Sequence, residues 1–449
     1  MKKGQKLLKE LLTPILEKED WDAFDVLMKR YFLQDIARLL KYFPVEKRLA
    51  LLRRLGPARA GRVLCETTPS TCSEMTKSMS DEFLSQILTA MPGDDAADVL
   101  ERLPDDQKER VFSLMDPAEA EKIRGLLKYA PDTAGGLMTH NFIAVNEKLT
   151  LEEAINEVRE KAADFLVPRI FVVDDEGTLK GYIPSSRLLR KDTGAPLSEF
   201  MITRLVKATT DMDQEEVAEV FSRYDLFTLP VVDPDDRLVG LITVDDIVDV
   251  IHEEASEDAL MMSGTHIEEL ESPSVMRVAR ARVPWLFASW MGGIAALLVI
   301  GRFENALRQA IVLSAFIPVI MGMGGNAGIQ SATVIVRGLA IGYIHTGDVL
   351  TVLFREIRVG IILGLSYGAL LGVITQARYF RDFHMLGAVV GLSIMSAMAL
   401  GVMVGTFFPM FFKRINIDPA IATGPFVTAT LDICGITVYF TLARLIMGL

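Results

Sequence analysis

Five apolar stretches, each long enough to cross a lipid bilayer as a helix, constrain this chain more than any other feature. Backbone polar groups find no water inside a bilayer, so such stretches fold as helices that pack against one another. Their number predicts a five-helix α transmembrane domain over residues 277–449. The stretches are Val283–Gly301, Gln309–Val336, Val359–Ala377, Met385–Phe412 and Pro419–Ala443.

Charge divides the chain into two unlike parts. Residues 1–276 carry a formal net charge of −19, whereas residues 277–449 carry +7. An acidic surface attracts cations and disfavours nucleic acid. The first residues lack the apolar core of a signal peptide, and Lys and Arg favour the flanks that would then face inside. We therefore expect a multi-pass protein of the cell (inner or plasma) membrane, in contact with membrane lipid, with its N-terminus and soluble domains in the cytoplasm.

The fifth stretch contains one charged residue, Asp432, near its middle. An ionised carboxylate at that depth costs several kcal/mol, so such residues face the bundle interior or a water-filled cavity. On a helical projection Asp432 shares a face with Pro425, Thr428 and Gly435. None of the five stretches contains Lys, Arg or His as a partner. The pattern favours an aspartate that faces water and a cation, and the alternative is a protonated or paired aspartate within the bundle.

The second stretch, "IPVIMGMGGNAGIQSATVIV", is dense in glycine and also contains Asn326 and Gln330. So much glycine predicts a poorly held helix, and irregular backbone at membrane depth survives only against protein or a water-filled cavity. Close helix packing is the alternative explanation for the small residues. Packing accounts for the glycines but leaves both amides unexplained.

Short repeated units occupy residues 32–117. Each unit reads as one amphipathic helix stopped by proline, and the series predicts an all-α superhelical solenoid over residues 1–131. One unit, "GDDAADVLERL", places Asp94 and Asp98 one turn apart. Acids at a helix start are ordinarily explained by the helix dipole, and an ion site is the other interpretation. The repeated prolines are Pro44, Pro57, Pro92, Pro104 and Pro117.

A longer repeat follows, because "FVVDDEGTLKGYI" and "PVVDPDDRLVGLI" align residue for residue. Each reads as a strand, an acidic turn and a second strand, with amphipathic helices before and after. The two units resemble paired CBS domains, which are regulatory α/β modules. The resemblance implies a tandem pair over residues 132–252, with repeats at about 138–195 and 196–252.

Paired CBS domains often bind ATP or another adenine nucleotide through an acid at the start of the last helix. Asp246 of "TVDD" matches that position in the second repeat, whereas Arg187 occupies it in the first. The resemblance therefore implies at most one such nucleotide contact, at Asp246.

Acidic residues crowd the second repeat and the segment that leaves it, residues 253–276, which we interpret as a connecting helix. Mutually repelling carboxylates are stabilised by a hard cation with oxygen ligands, and Mg²⁺ keeps several waters in such sites. A solvated acidic helix is the alternative. The acids are Asp225, Asp245, Asp246, Asp249, Glu253, Glu254, Glu257 and Asp258.

The order of solenoid, CBS pair, connecting ("plug") helix and five spans resembles the MgtE family of magnesium channels. The motifs that carry the resemblance are "AGGLMT" (134–139), "GGNAGIQSA" (324–332) and "ATLDICG" (429–435). It implies a homodimeric, magnesium-selective channel in which Asp432 of both subunits holds hydrated Mg²⁺. Implied pore-lining residues are Gly325, Asn326, Gln330, Gly424, Pro425, Thr428 and Gly435. Implied regulatory Mg²⁺ ligands, which would close the pore, are Asp94, Asp98, Glu215, Asp225, Asp246, Asp249, Glu254, Glu257 and Asp258.

The chain departs from the family pattern at Ile329, Gly424, Leu431 and Cys434, where the family usually has polar residues. Fewer polar groups near the pore bear on ion selectivity and transport rate. Two alternatives stay open: a channel or transporter for another divalent ion such as Co²⁺ or Mn²⁺, or a membrane-anchored Mg²⁺ sensor without transport. The sequence shows no nucleophile–base arrangement, no Walker-type loop and no His/Cys metal cluster, so we do not expect an enzyme.

Overall fold

The computed structural model describes residues 3–161, 168–189, 195–267, 269 and 274–449. By their internal contacts the residues divide into two compact units, Met1–Ile251 and His252–Leu449. Each unit is described by itself.

Short helices form the N-terminal part of the first unit, as the repeat predicts. Proline, however, begins each following helix: Pro57 and Pro117 are first helical residues, and Pro44, Pro92 and Pro104 are N-caps. A first helical residue needs no N–H partner, so proline is tolerated there. The helices are α1 Lys3–Lys18, α2 Trp21–Met28, α3 Leu33–Leu40, α4 Val45–Leu55, α5 Pro57–Cys65, α6 Pro69–Lys77, α7 Asp81–Thr89, α8 Gly93–Glu101, α9 Asp105–Leu114 and α10 Pro117–Leu126.

The two CBS repeats fold as two similar three-stranded sheets, in the orders β1-β2-β3 and β4-β5-β6. In each sheet the first pair of strands is parallel and the second antiparallel. The strands are β1 Ala144–Asn146, β2 Arg169–Val173, β3 Leu179–Pro184, β4 Ala208–Thr209, β5 Thr228–Val232 and β6 Leu238–Thr243. The helices are α11 Ala134–Leu137, α12 Leu151–Lys161, α13 Gln214–Tyr224 and α14 Val244–Met261, and Ser185–Leu189 forms a 3₁₀ helix.

The two sheets are joined by reciprocal backbone hydrogen bonds. The Leu179 N–H donates to the Asp236 carbonyl oxygen, and the Leu238 N–H donates to the Gly177 carbonyl oxygen, both at 3.0 Å. Equivalent turns therefore meet across a local two-fold relation, which confirms the predicted pair of CBS domains. A single hydrophobic core continues from the solenoid into the second repeat, from residues such as Leu51 to residues such as Ile242.

The second unit contains, among the residues that the structure describes, five helices long and apolar enough to cross a membrane, which confirms the predicted five spans. Helix α14 extends to Met261 and so includes the start of the predicted connecting helix, residues 253–276; residues 268 and 270–273 of that prediction lie outside the described residues, and a long helix begins at Val275. The helices are α15 Val275–Arg302, α16 Glu304–Gln309 (short), α17 Ile317–Ala340, α18 Val349–Tyr379, α19 Leu386–Arg414 and α20 Gly424–Met447.

Glycine permits unusually close packing between these helices. A Cβ atom at Gly368 of α18 would lie 2.4 Å from the Gly391 carbonyl oxygen of α19, closer than any carbon can approach. Helix α17 runs without interruption from Ile317 to Ala340, so the expectation of a poorly held helix was wrong. Its glycine-rich segment is held by neighbouring helices, which replaces the stability that glycine lacks by itself.

Candidate ion-binding sites

The glycines of α17 fall into two groups with different surroundings. A Cβ atom at Gly324 would lie 3.2 Å from the Ala397 carbonyl oxygen, and one at Gly328 would lie 2.6 Å from Leu431 Cδ1. A Cβ atom at Gly325 would meet no atom within 4 Å. Close packing therefore explains Gly324 and Gly328. Gly325 is also buried, but open space lies beside it, and its pore-lining role stays a prediction.

Both amide side chains of this segment lie on the outside of the single chain. Asn326 and Gln330 are exposed, whereas Gly324, Ala327 and Gly328 are buried against other helices. Ile329, one of the departures from the family pattern, lies on the same side and is also exposed. Because an exposed amide is costly in lipid, this face calls for water or another protein surface.

Asp432 lies on α20 and is half-buried. No charged group and no hydrogen-bond donor of the described residues reaches its carboxylate. The predicted alternative of an aspartate paired inside the bundle therefore finds no support in this chain. One turn earlier, the Thr428 hydroxyl donates to the Gly424 carbonyl oxygen at 3.0 Å, so its lone pairs stay available as acceptors.

The predicted polar stripe of α20 is only partly open. Gly435 is buried from solvent, yet a Cβ atom there would meet nothing within 4 Å, so space remains beside it. One turn later Tyr439 is fully buried, and its hydroxyl donates to the Leu313 carbonyl oxygen at 2.8 Å. The open part of the stripe thus ends between Gly435 and Tyr439.

Two departures from the family pattern have local steric explanations. Leu431 is buried and covers Gly328, filling the space that the missing side chain leaves. A Cβ atom at Gly424 would lie 2.9 Å from the carbonyl oxygen of Met262, the residue that follows α14. This close approach favours glycine at position 424. Pro425 follows in the first turn of α20, where it needs no hydrogen-bond partner.

A second group of acids lies in the first unit, around the N-terminal turns of α8 and α14. Burial, reinforced by the charges of Asp94 and Asp245, raises the pKa of Asp246 to about 7, although a 2.6 Å hydrogen bond from the Thr243 hydroxyl opposes the rise. Burial likewise raises the pKa of Asp94, and burial with the Asp94 charge raises that of Asp95 to about 6. Like charges are therefore held together with little solvent to screen them.

One oxygen of this acidic group is left unsatisfied. Asp94 Oδ1 is buried and accepts no hydrogen bond from the described residues. An orphaned, desolvated carboxylate oxygen beside a second acid suits a hard cation that retains water ligands. No three His, Cys, Asp or Glu side chains of the described residues converge on one metal position, so water or further groups would complete such a site.

The "AGGLMT" motif explains how distant residues reach this group. Cβ atoms at Gly135 and Gly136 would lie 2.6 Å from Tyr129 Cδ1 and 2.4 Å from the Ala130 carbonyl oxygen, so both glycines are sterically required. Thr139 then pairs with Leu241 of β6, and its side chain lowers the pKa of the nearby Asp94 carboxyl against the stronger effect of burial. The motif thereby ties the solenoid to the second CBS repeat next to Asp246.

The remaining predicted ligands are more exposed. Asp98 of α8 and Asp249 of α14 are exposed, and Glu215 is half-buried in the first turn of α13. Asp225 ends α13 in a left-handed conformation with φ 49°, which aspartate tolerates better than most residues. Glu254, Glu257 and Asp258 are half-buried on the C-terminal half of α14.

Sequence reasoning missed several residues of these sites. Thr243 is one of them: its hydroxyl bonds the predicted Asp246 in a Thr-x-x-Asp capping pattern at the start of α14, a signal present in "TVDD". Thr139 closes the quoted "AGGLMT" but received no role. Glu356 lies three residues before the predicted third span, yet belongs to α18 and is buried.

Comparison with known proteins agrees with this arrangement. Three family models match: "MgtE intracellular N domain" at residues 31–132, "CBS domain" at 134–194 and 197–253, and "Divalent cation transporter" at 317–442. The magnesium transporter MgtE of Thermus thermophilus is 34% identical over 443 residues, covering 97% of this chain and 98% of the relative. That of Bacillus subtilis is 31% identical, covering 79% of each chain.

Two solved structures resemble the soluble part. One is the cytosolic domain of the Mg²⁺ channel MgtE in complex with ATP, with 35% identity and a TM-score of 0.51, covering 54% of this chain and 99% of that one. The other is the soluble part of a magnesium transporter, with 28% identity and a TM-score of 0.51, covering 56% and 99%.

A helical domain, a CBS pair and five apolar helices, with the family models that match them, define a membrane transporter of divalent cations, and not an enzyme. Similarity over nearly the full length narrows the class further. The chain belongs to the MgtE family of magnesium transporters.

Proposed function

We propose that the chain works as a homodimeric, Mg²⁺-selective uptake channel whose pore closes when cytosolic Mg²⁺ binds its acidic soluble domains. The observation that carries the proposal is Asp432, a carboxylate without a partner in the described residues of an apolar helix. Open space beside Gly325 and Gly435 supports an ion path along the same region. Mg²⁺ is the cargo in this scheme.

Two copies of the chain suit the charge of the ion. One Asp432 supplies a single negative charge, whereas two carboxylates related by a two-fold axis supply enough to balance one Mg²⁺ ion. The ion would keep several waters, as Mg²⁺ does in most protein sites. The exposed amides of Asn326 and Gln330 would then hydrogen-bond those waters instead of meeting lipid. Homodimers with two-fold symmetry are the commonest oligomers.

Gating would rest on the acids of the soluble domains. Asp94 and Asp246 bring like charges together in a desolvated place, and Mg²⁺ binding would relieve their repulsion. The same scheme assigns Mg²⁺ to the predicted acids of α13 and α14. A ligand shifts a conformational equilibrium only through its differential affinity for the two states, so these sites must be more complete in the closed channel. These domains would lie in the cytoplasm.

Nucleotide binding is a further part of the proposal. The cytosolic domain that was solved with ATP matches 54% of this chain over 99% of its own length. Asp246 would contact ATP or another adenine nucleotide. In the first repeat, Arg187 donates a hydrogen bond to the Phe200 carbonyl oxygen and takes the place of the expected acid. Titration of the purified protein with ATP, with and without Asp246→Asn, tests this contact.

Uptake of Mg²⁺ into proteoliposomes tests the transport function. Asp432→Ala should abolish or strongly reduce uptake, and Asp432→Asn should reduce it because it removes the charge and keeps the shape. Asp382→Asn, at an exposed position between α18 and α19, is the control and should transport normally. Normal uptake by Asp432→Ala would refute the role of Asp432.

Competing ions separate the alternatives in the same assay. Uptake of Co²⁺ or Mn²⁺ in preference to Mg²⁺ would assign another divalent cargo. The apolar Ile329 and Leu431 would then contribute to that ion preference. Mg²⁺ binding by the soluble domains without any divalent uptake would identify a membrane-anchored sensor.

A further inference from the structure

A buried acid joins two membrane helices next to the glycine-rich segment. Glu356 of α18 is 9% exposed, and Ser331 of α17 is 5% exposed. The Ser331 hydroxyl donates to Glu356 Oε2 at 3.2 Å. The other carboxylate oxygen, Oε1, accepts hydrogen bonds from Arg355 Nε at 3.1 Å and from an Arg355 terminal nitrogen at 2.9 Å. Both oxygens of a buried carboxylate are thus satisfied.

Ser331 is unusual among the membrane hydroxyls of this chain. The hydroxyls of Thr333, Ser366 and Thr406 each donate to the carbonyl oxygen four residues earlier in their own helix. Such local bonds satisfy the hydroxyl without connecting anything. The hydroxyl of Ser331 instead reaches an acid on another helix, so this bond constrains how α17 and α18 lie relative to each other.

The constraint matters because α17 meets α19 through glycines on both helices beside the segment that carries the amides. A Cβ atom at Gly401 of α19 would lie 2.3 Å from the Gly324 carbonyl oxygen, and one at Gly405 would lie 2.1 Å from the Gly328 carbonyl oxygen. Such smooth surfaces allow close approach. Apolar side chains of α17, such as Ile335 and Leu339, pack in a cluster further along the helix. The directional bond from Ser331 adds an angular restraint between α17 and α18, close to Asn326 and Gln330.

Rotation of α17 would move the amides that face outward. Residues adjacent in an α-helix are about 100° apart around the axis, so fixing Ser331 toward α18 also fixes Gln330. Asn326, about one turn earlier, is fixed with it, because both belong to the exposed face of the same helix. Loss of the restraint would misplace both amides while the helix stays folded.

We propose that Glu356 is a positioning residue for transport: through Ser331 it sets the rotation of α17, so that Asn326 and Gln330 face the ion path and determine cation affinity and selectivity. The inference rests on the proposed transport function. Glu356 contacts no ion in this scheme. Arg355, whose side chain is about half exposed, balances the charge of Glu356 where the helix begins.

Ser331→Ala is the decisive variant, because it removes one hydroxyl and leaves the glycine packing intact. We expect the KM for Mg²⁺ in proteoliposomes to rise about three- to ten-fold and the ratio of Mg²⁺ to Co²⁺ uptake to fall, the size expected for one interhelical hydrogen bond. Ser393→Ala is the matched control. Its hydroxyl is equally buried on α19, yet it has no partner in the described residues, so KM and ratio should stay unchanged.

Variants of the acid complete the test. Glu356→Gln keeps an acceptor for Ser331 and should restore much of the affinity that Glu356→Ala loses. Ser331→Ala should have no further effect in the Glu356→Ala background, since the two residues act through one bond. If Glu356→Ala does not fold, Ser331→Ala and Glu356→Gln decide the question.

A merely structural bond would behave differently. If Ser331→Ala lowered the melting temperature but kept the wild-type KM and the wild-type uptake ratio, the inference would be overturned while the proposed function stood. Absence of divalent uptake by the wild-type protein would overturn both, and the two failures are therefore distinguishable.

Discussion

Asp246→Asn should stabilise the metal-free soluble part of the protein at alkaline pH. Burial raises the pKa of Asp246 from 3.8 to about 7, so the folded protein binds this proton more tightly than the unfolded chain does. Such a group costs no stability below pH 3.8, where both states are protonated. The cost grows as pH rises from 3.8 to about 7 and is fully present above that pH. Asparagine removes the charge and can still accept the Thr243 hydrogen bond.

The expected magnitude follows from the pKa. At about 1.4 kcal/mol per pKa unit, a rise from 3.8 to about 7 corresponds to an upper bound of roughly 4 kcal/mol at pH 8. The carboxylates of Asp94 and Asp95 lie in the same group of like charges. Removing the charge of Asp246 therefore also lowers the repulsion that these two carboxylates experience. We therefore expect a gain of about 2–4 kcal/mol at pH 8 and below about 1 kcal/mol at pH 4.5.

Urea unfolding of a fragment of residues 1–261, in the presence of EDTA, measures the effect. The fragment is reasonable because the cytosolic domains of two relatives were solved as separate chains. Asp249→Asn, at an exposed position on the same helix, is the control and should change stability by less than about 0.5 kcal/mol at either pH. An equal gain at both pH values, or no gain at pH 8, would refute the argument that a desolvated charge cluster exists here.

Three further results are expected. The purified protein should have the mass of a dimer in detergent, and a fully active monomer would rule out a pore on a two-fold axis. The double variant Asp246→Ala, Asp249→Ala should keep conducting at Mg²⁺ concentrations that close the wild-type channel. A flux assay with varied internal Mg²⁺ measures this. Closure at the wild-type concentration would mean that these acids are only a solvated acidic surface. Gly405→Ala should destabilise the membrane domain by about 1–3 kcal/mol, because the new Cβ would lie 2.1 Å from the Gly328 carbonyl oxygen. Gly293→Ala, whose Cβ would meet no atom within 4 Å, should be neutral or stabilising in the same thermal assay.

Much of the architecture could be predicted because it depends on local patterns. Five long apolar stretches predict five membrane helices wherever they pack, and the aligned turns of two repeats predict two equivalent sheets. The equivalence holds in detail, since β5 and β6 begin 59 residues after β2 and β3. The repeated prolines predict helix stops, and the structure shows them at the starts of the following helices. Both interpretations fit the same spacing.

The candidate sites were predictable only in part. Asp432 could be identified because one charge in an apolar run is conspicuous in sequence. The regulatory acids assigned by resemblance remain predictions, since no metal position is completed by the described residues alone. Glu356 escaped notice because a charged pair beside a span resembles an ordinary membrane-boundary pair. Its burial and its bond to Ser331 become visible only when α17 and α18 are packed together.

By itself, the sequence determined the order of the helical domain, the CBS pair and the five membrane helices, along with the aspartate in the last of them. These depend on hydrophobicity and period within segments of about twenty residues. Tertiary structure decided that Gly324 packs while Gly325 borders open space, and that Asp94 shares a desolvated place with Asp246. Such facts depend on the rotation and register of elements far apart in the chain, and close packing of many side chains at once selects that geometry.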